Sequence, residues 1–203
     1  MKIFYFVILF SSILLIFGCS KEDDKKTNFV RIADNSKLEG TWKTSCINAG
    51  ASGYIIYTIT ISGMTGIYKQ EIHSDSGCAT DFYNWEDTYS SYTVGNTVTY
   101  NDDTTGYYLY SVVESFVETP IHSTWVTANN NDSYCGYTDW EANVGKDKAG
   151  LTCDAITDDV SYNDSKGTEY YSISQLVGTT LKVSAFSKTS YPDTLVERSY
   201  TKQ

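Results

Sequence analysis

Five cysteines, two histidines and a few close acidic pairs are the side chains of this 203-residue chain best suited to chemistry. Cys19 stands apart from the rest. Cys46, Cys78, Cys135 and Cys153 show no CxxC or His-x-Cys spacing, and only His73 and His122 could add an imidazole. That set lacks the ligand pattern of a zinc site, so no metal is expected. Four cysteines in an oxidising compartment read instead as two disulfides, with three connectivities open. The pairing Cys46–Cys78 with Cys135–Cys153 closes two modest loops, each contributing about 3–4 kcal/mol on the chain-entropy model.

The remaining candidates are weaker. His73 precedes Asp75 by two positions, which has the parts of an acid–base couple, yet it borders the turn that delivers Cys78 and reads as a turn-flanking residue. His122, close to Pro120, reads as a loop residue. Asp102-Asp103 and Asp158-Asp159 lack the glycine and terminal glutamate of a calcium loop and read as solvated turn residues. Gly-x-Ser-x-Gly, Ser-x-x-Lys and His-Glu-x-x-His are all missing. No catalytic residue, enzyme activity or cofactor is expected. A formal charge of −10 repels phosphate backbones and argues against nucleic-acid binding.

What must position these residues begins with an export segment. Lys2 is followed by an apolar run from Ile3 to Phe17, interrupted at Ser11 and Ser12, and then by Gly18-Cys19. A basic start, an apolar run and a small residue before the cut have the layout of a secretory signal. The run is shorter than the roughly twenty residues a spanning helix requires. Ile16-Phe17-Gly18-Cys19 resembles the bacterial lipobox. The resemblance implies that residues 1–18 are a cleaved signal peptide and that Cys19 carries the acyl chains (palmitate among them). Two or more chains anchor a protein stably, so the mature protein needs no spanning helix, and the membrane is its expected partner through that anchor. Ser20, in place of Asp, resembles outer-membrane sorting signals, and Cys19-Ser20-Lys21-Glu22-Asp23-Asp24 resembles the surface-export signal of Bacteroidetes lipoproteins. The implied address is the cell envelope at the outer membrane, on its periplasmic face or the cell surface.

Residues 19–37 are polar and charged and read as a lipidated tether. From Leu38 to residue 203 the pattern is that of one all-β domain. Tyr54–Ile61 is β-branched and aromatic throughout, Ile67–His73 alternates, and Phe82–Tyr92, Tyr107–Val117, Glu169–Ile173, Thr179–Phe186 and Leu195–Tyr200 continue in kind. A Val94-Gly95-Asn96 turn and an Asn101-Asp102-Asp103 turn punctuate the middle, and a polar loop covers Asn129–Ser133. Turn signals every eight to twelve residues predict an antiparallel sheet with few or no helices. Thr138-Asp139-Trp140-Glu141 could open a short helix through Lys146, but a strand leading to Cys153 is the stronger expectation. The eighteen tyrosines suit sheet and rim packing, or the lining of a ligand site.

Leu38-Glu39-Gly40-Thr41-Trp42 resembles the Gly-x-Trp signature that opens the first strand of lipocalins. The wider set resembles a group of uncharacterised bacterial lipocalin-like lipoproteins and the ectodomain repeats of the adenomatosis-polyposis-coli-down-regulated Wnt inhibitors. It comprises Gly40-Thr41-Trp42 with Cys46, Tyr57–Gly63, His73–Cys78, Ser91–Gly95, Cys135–Trp140 and Tyr200–Gln203. The resemblance implies a lipocalin-like β-barrel with Gly40 and Trp42 closing one end, supports the Cys46–Cys78 pair, and transfers no activity. The Thr-Asp-x-Arg lipocalin signature is missing. The expected function is therefore a membrane-anchored barrel that binds a small hydrophobic or lipid ligand. The alternative is a non-enzymatic envelope or cell-surface interaction module with a filled core.

Overall fold

The computed structural model describes residues 35–99, 105–154, 160–192, 195 and 198–203. The signal peptide at 1–18, Cys19, the tether as far as residue 34, Asp102-Asp103 and Asp158-Asp159 lie outside the described residues. Twelve strands and one helix follow in order: β1 (Gly40–Lys43), β2 (Ile47–Asn48), β3 (Tyr54–Ser62), β4 (Thr65–His73), β5 (Asp81–Thr99), β6 (Thr105–Pro120), α1 (Ser123–Asn131), β7 (Lys146–Asp147), β8 (Thr152–Asp154), β9 (Val160–Tyr162), β10 (Glu169–Val177), β11 (Thr180–Val183) and β12 (Arg198–Lys202).

Eight of the strands close an antiparallel barrel in the order β1-β3-β4-β5-β6-β10-β11-β12. Closure comes at β1, which pairs with β3 through Trp42↔Ile59 and with β12 through Trp42↔Lys202. Every barrel strand pairs with its nearest barrel neighbours along the chain, an up-and-down meander, and closure removes the exposed edges an open sheet would present. Because side chains alternate, the registers fix which residues meet inside. One interior row runs Ile61↔Gly66↔Tyr89↔Val113, the next Ile59↔Tyr68↔Asp87↔Phe116, and a third Tyr57↔Gln70↔Trp85↔Glu118.

One half of the interior is a plug. Leu38, Trp42, Ile59, Ile61, Tyr92, Leu109 and Leu181 are all buried there in one cluster. Trp42 is fully buried and its indole donates to the Leu38 carbonyl at 2.8 Å. Gly40 adopts φ +117°, open to glycine and strained for other residues. Gly66 is required for a different reason: a Cβ there would lie 2.4 Å from the Tyr92 ring, which crosses β4 at this point. The folded part reaches back to Asn35, whose amide donates to the carbonyls of Gly63 and Tyr92 at 2.6 Å each and accepts from the Val94 amide. The chain thus joins the barrel at its plugged end.

Both disulfides join the pairs that close modest loops, Cys46–Cys78 and Cys135–Cys153. The first ties the chain after β1 to the β4–β5 connection. The second ties the segment after α1 to β8. Trp140, buried between the Tyr134 and Tyr137 rings, fixes that segment further, with Asn130 accepting from its amide at 2.7 Å and donating to its carbonyl at 3.0 Å.

Several local expectations need correction. Val94-Gly95-Asn96 is no turn: β5 runs unbroken from Asp81 to Thr99, and shifts in register at Ser90/Thr93 and Val94/Thr97 bend it instead. Helix α1 occupies Ser123–Asn131, so the expected Asn129–Ser133 loop is partly helical. His122 is the cap of that helix, its Nδ1 accepting from the Thr124 amide, rather than a plain loop residue. Thr138–Glu141 forms neither helix nor strand, and only the short β7 and β8 lead to Cys153.

Candidate functional site

Beyond the plug the interior is only partly filled: Ile55, Ile72 and Tyr83, with Trp85 and Trp125 against them, form a second buried cluster toward the far end. A cavity of about 450 Å³ lies above the plug, bounded by Tyr68, Asp87, Tyr89 and Tyr170 from β4, β5 and β10 and by Arg198 and Tyr200 from β12. The remaining wall is Val183–Phe186, where β11 ends. A pocket of about 100 Å³ continues from it past Asp87 and Tyr89 to Phe116 and Asn163. Strand length decides where this space falls. β5 and β6 are 19 and 16 residues long, whereas β1, β11 and β12 have four, four and five. On the short side the wall stops at Val183 and Arg198, and the segment after β11 takes over.

That segment turns one side chain inward and another outward. Ser187 exchanges both backbone hydrogen bonds with Tyr171, with one residue more than the regular register between it and Val183. Phe186 points into the cavity, stacked on Tyr89 at 5.5 Å between ring centres and edge-on to Tyr68 and Tyr170. Outside, Tyr191 packs against the Tyr108 and Tyr171 rings at 4.2 and 5.1 Å. Aromatic pairs of this kind add about 0.5–1.5 kcal/mol each beyond burial, so the segment is fastened on the outer face while its Phe186 forms a wall of the cavity.

Two charged groups line this space. Arg198 stacks its guanidinium on the Tyr57 ring, 3.5 Å from the ring centre, and donates to the Tyr68 hydroxyl. Among the described residues no carboxylate lies within ion-pair distance of it. Burial raises the phenols of Tyr68, Tyr89 and Tyr200 above their ordinary range, so they stay neutral and do not compensate the cation. Asp87 accepts from the Tyr89 hydroxyl at 3.2 Å through one oxygen, and its other oxygen is buried without a hydrogen bond. Burial pushes its carboxyl up to about 7, against the opposing pull of the Tyr89 bond and the Lys148 charge.

Beyond Asp87, Glu118 and Lys148 form a buried ion pair where β7 lies along β6. Their side chains are 1% and 3% exposed, and the Lys148 ammonium also faces the Phe116 and Tyr134 rings at 5.0 and 5.2 Å. Desolvation pushes Glu118 up and Lys148 down, each to about 8, while their direct contact favours the charged forms.

The residues singled out in the sequence take other places. Gly40 and Trp42 belong to the plug end, and the four bridged cysteines lie in the connections. His73 is buried at the end of β4 with Nδ1 3.1 Å from Asp81, while Asp75 accepts from the amides of Gly77, Ala79 and Thr80 in its own turn. Those two do not form a couple. Arg198, Asp87, Glu118, Lys148 and Phe186 were not singled out. A signal for Asp87 existed, because Tyr83, Trp85, Asp87 and Tyr89 alternate and place the carboxylate on the aromatic, inward side. The apolar inward face expected of a carrier describes the plug, whereas the cavity wall is aromatic and polar. Among the described residues, no group of three or more His, Cys, Asp or Glu side chains is placed to hold a metal ion. No described helix is long and apolar enough to cross a membrane. No protein-family model matches this chain, and no curated protein matches it in sequence.

Proposed function

We propose that this protein is a non-enzymatic binding protein, held at the bacterial envelope by a lipid on Cys19, whose barrel takes up a small amphipathic molecule. The observation that carries the reading is the cavity. At about 450 Å³ it falls within the roughly 300–1,000 Å³ of small-molecule sites, and its aromatic wall carries the charged groups of Asp87 and Arg198. The interaction-module alternative calls for an interior filled by side chains throughout, and the cavity between the plug and the Ile55, Ile72 and Tyr83 cluster departs from that.

Orientation supports the same reading. The tether would reach the barrel at Asn35–Gly40, at the plugged end, and the cavity lies beyond the plug, away from the anchor. The lipobox-like Ile16-Phe17-Gly18-Cys19 string is the support for the anchor itself.

The test is native mass spectrometry of the full-length protein purified from bacterial envelopes. A small organic molecule should travel with the folded protein and leave on unfolding. A protein that stays empty, and that binds none of a panel of ring-bearing and acyl probes, would refute the reading.

A further inference from the structure

The polarity of the cavity wall narrows the ligand class, on the premise that the cavity is a binding site. Arg198 is the cation there, and three features make it an anion anchor. Its guanidinium rests on the Tyr57 face, which fixes the plane while leaving the in-plane N–H groups free to donate. Its present partners are the neutral hydroxyls of Tyr68 and Tyr200, and the other N–H groups of the fork are left to donate. No carboxylate within ion-pair distance compensates the charge among the described residues. Half-buried on the barrel wall, this guanidinium is best matched by a planar oxyanion that can accept two parallel hydrogen bonds.

The rest of the wall selects the body of the molecule. Tyr89, Tyr170 and Phe186 present faces and edges rather than an aliphatic tunnel, and the rings already meet one another stacked and edge-on. A planar ring extends that packing at no cost in chain flexibility, whereas an acyl chain would have to be ordered bond by bond. A diacyl lipid would also overfill about 450 Å³.

We propose that the cavity binds a small aromatic carboxylate, its anion on Arg198 and its ring among Tyr89, Tyr170 and Phe186. Asp87 is no counterion to Arg198. It sits on β5 and makes no ion-pair contact with Arg198; the groups that act most on its charge are Lys148, Asp164 and Glu86, and those that act most on Arg198 are Tyr68, Tyr200 and Tyr57.

The test compares 2-naphthoate with 2-naphthamide, which share a ring and differ in charge, by isothermal titration calorimetry on the full-length protein and on Arg198→Gln. The naphthoate should bind the unmodified protein roughly tenfold tighter or more. In Arg198→Gln that gap should collapse while amide affinity stays within about twofold. Equal affinity for the two probes, or preference for the amide, overturns the anion assignment and leaves the binding cavity standing. Failure of the unmodified protein to bind either probe overturns the aromatic-carboxylate assignment, whereas the cavity reading falls only if the protein also stays empty and binds none of the wider panel. Should Arg198→Gln not fold, the comparison of the two probes on the unmodified protein still decides.

Discussion

Asp87→Asn isolates the cost of holding a carboxylate in the cavity. One Asp87 oxygen accepts from Tyr89 and the other is buried with no hydrogen bond, and burial raises the group to about 7. An unfolded aspartate titrates near 4. Between those values the folded protein binds the proton and the unfolded chain does not. Stability from this group is therefore fully present below about pH 4 and is lost as pH rises through 7. At about 1.4 kcal/mol per unit the full effect is about 4 kcal/mol, and screening by water reaching a partly buried side chain reduces it to about 2 kcal/mol. Asparagine has nearly the same shape and never ionises. Urea unfolding of both proteins at about pH 4 and about pH 8 provides the measurement. At the lower pH the midpoints should differ little. At the higher pH the variant should exceed the parent by about 2 kcal/mol, a midpoint shift of about 1 M. Titrations elsewhere, the Glu118–Lys148 pair included, largely cancel in the difference. An offset that is the same at both pH values would show that the Asp87 proton is not linked to folding.

Trp42→Ala empties the centre of the plug and should cost about 3–5 kcal/mol, read as a lowered urea midpoint; a loss below about 1 kcal/mol would mean that the plug is not a packed core. Cys135→Ser combined with Cys153→Ser opens a bridge of sequence separation 18 and should cost about 3 kcal/mol on the chain-entropy model, with the Cys46–Cys78 bridge still resistant to thiol reagents after denaturation without reductant. Labelling of Cys46 or Cys78 in that experiment would contradict the pairing. Cys19→Ala should abolish incorporation of labelled palmitate and release the protein from membranes into the soluble fraction, since the acyl chains supply its hold. Unchanged membrane retention would count against the lipid anchor.

The barrel was legible because its signal is carried by repetition. Tyr54–Ile61, Ile67–His73 and the β6 strand alternate over lengths that permit little else, and antiparallel neighbours with short turns lead to a meander. The break predicted at Val94-Gly95-Asn96 failed because a glycine and an asparagine signal a turn only locally. Here Asn35, from far along the chain, holds Val94 and Tyr92 in place and the strand continues through bulges. Helix α1 escaped notice for a related reason. Ser123–Asn131 has no regular apolar stripe, and its place depends on tertiary contacts such as Trp125 against Phe82 and Tyr83. The cavity residues were harder still. Arg198 follows β11 by a long connection, and nothing in its neighbours along the chain places it beside Tyr57 and Tyr68. Only closure of the barrel does so.

The buried charges give the interior its asymmetry. Asp87 and Glu118 descend from adjacent strands in successive rows, and Lys148 is the cation that bears on both: it pairs with Glu118 directly and acts on Asp87 at a distance. Two acids face one base, and burial raises both: Asp87 is held near neutrality without a contact ion, and Glu118 is raised as well beside Lys148. A core selected for stability alone gains more from apolar side chains of similar volume than from such groups. The plug and the Ile55, Ile72 and Tyr83 cluster, built of aliphatic side chains and aromatic rings, follow that rule, and the region around the cavity departs from it at Asp87, Glu118 and Arg198. Each departure is a polar group held in place by rings: Tyr89 on Asp87, Phe116 and Tyr134 around Lys148, Tyr57 under Arg198. Rigid placement of a few polar groups against an aromatic wall supplies direction to an otherwise non-directional cavity, and direction is what discriminates one small molecule from another of the same size.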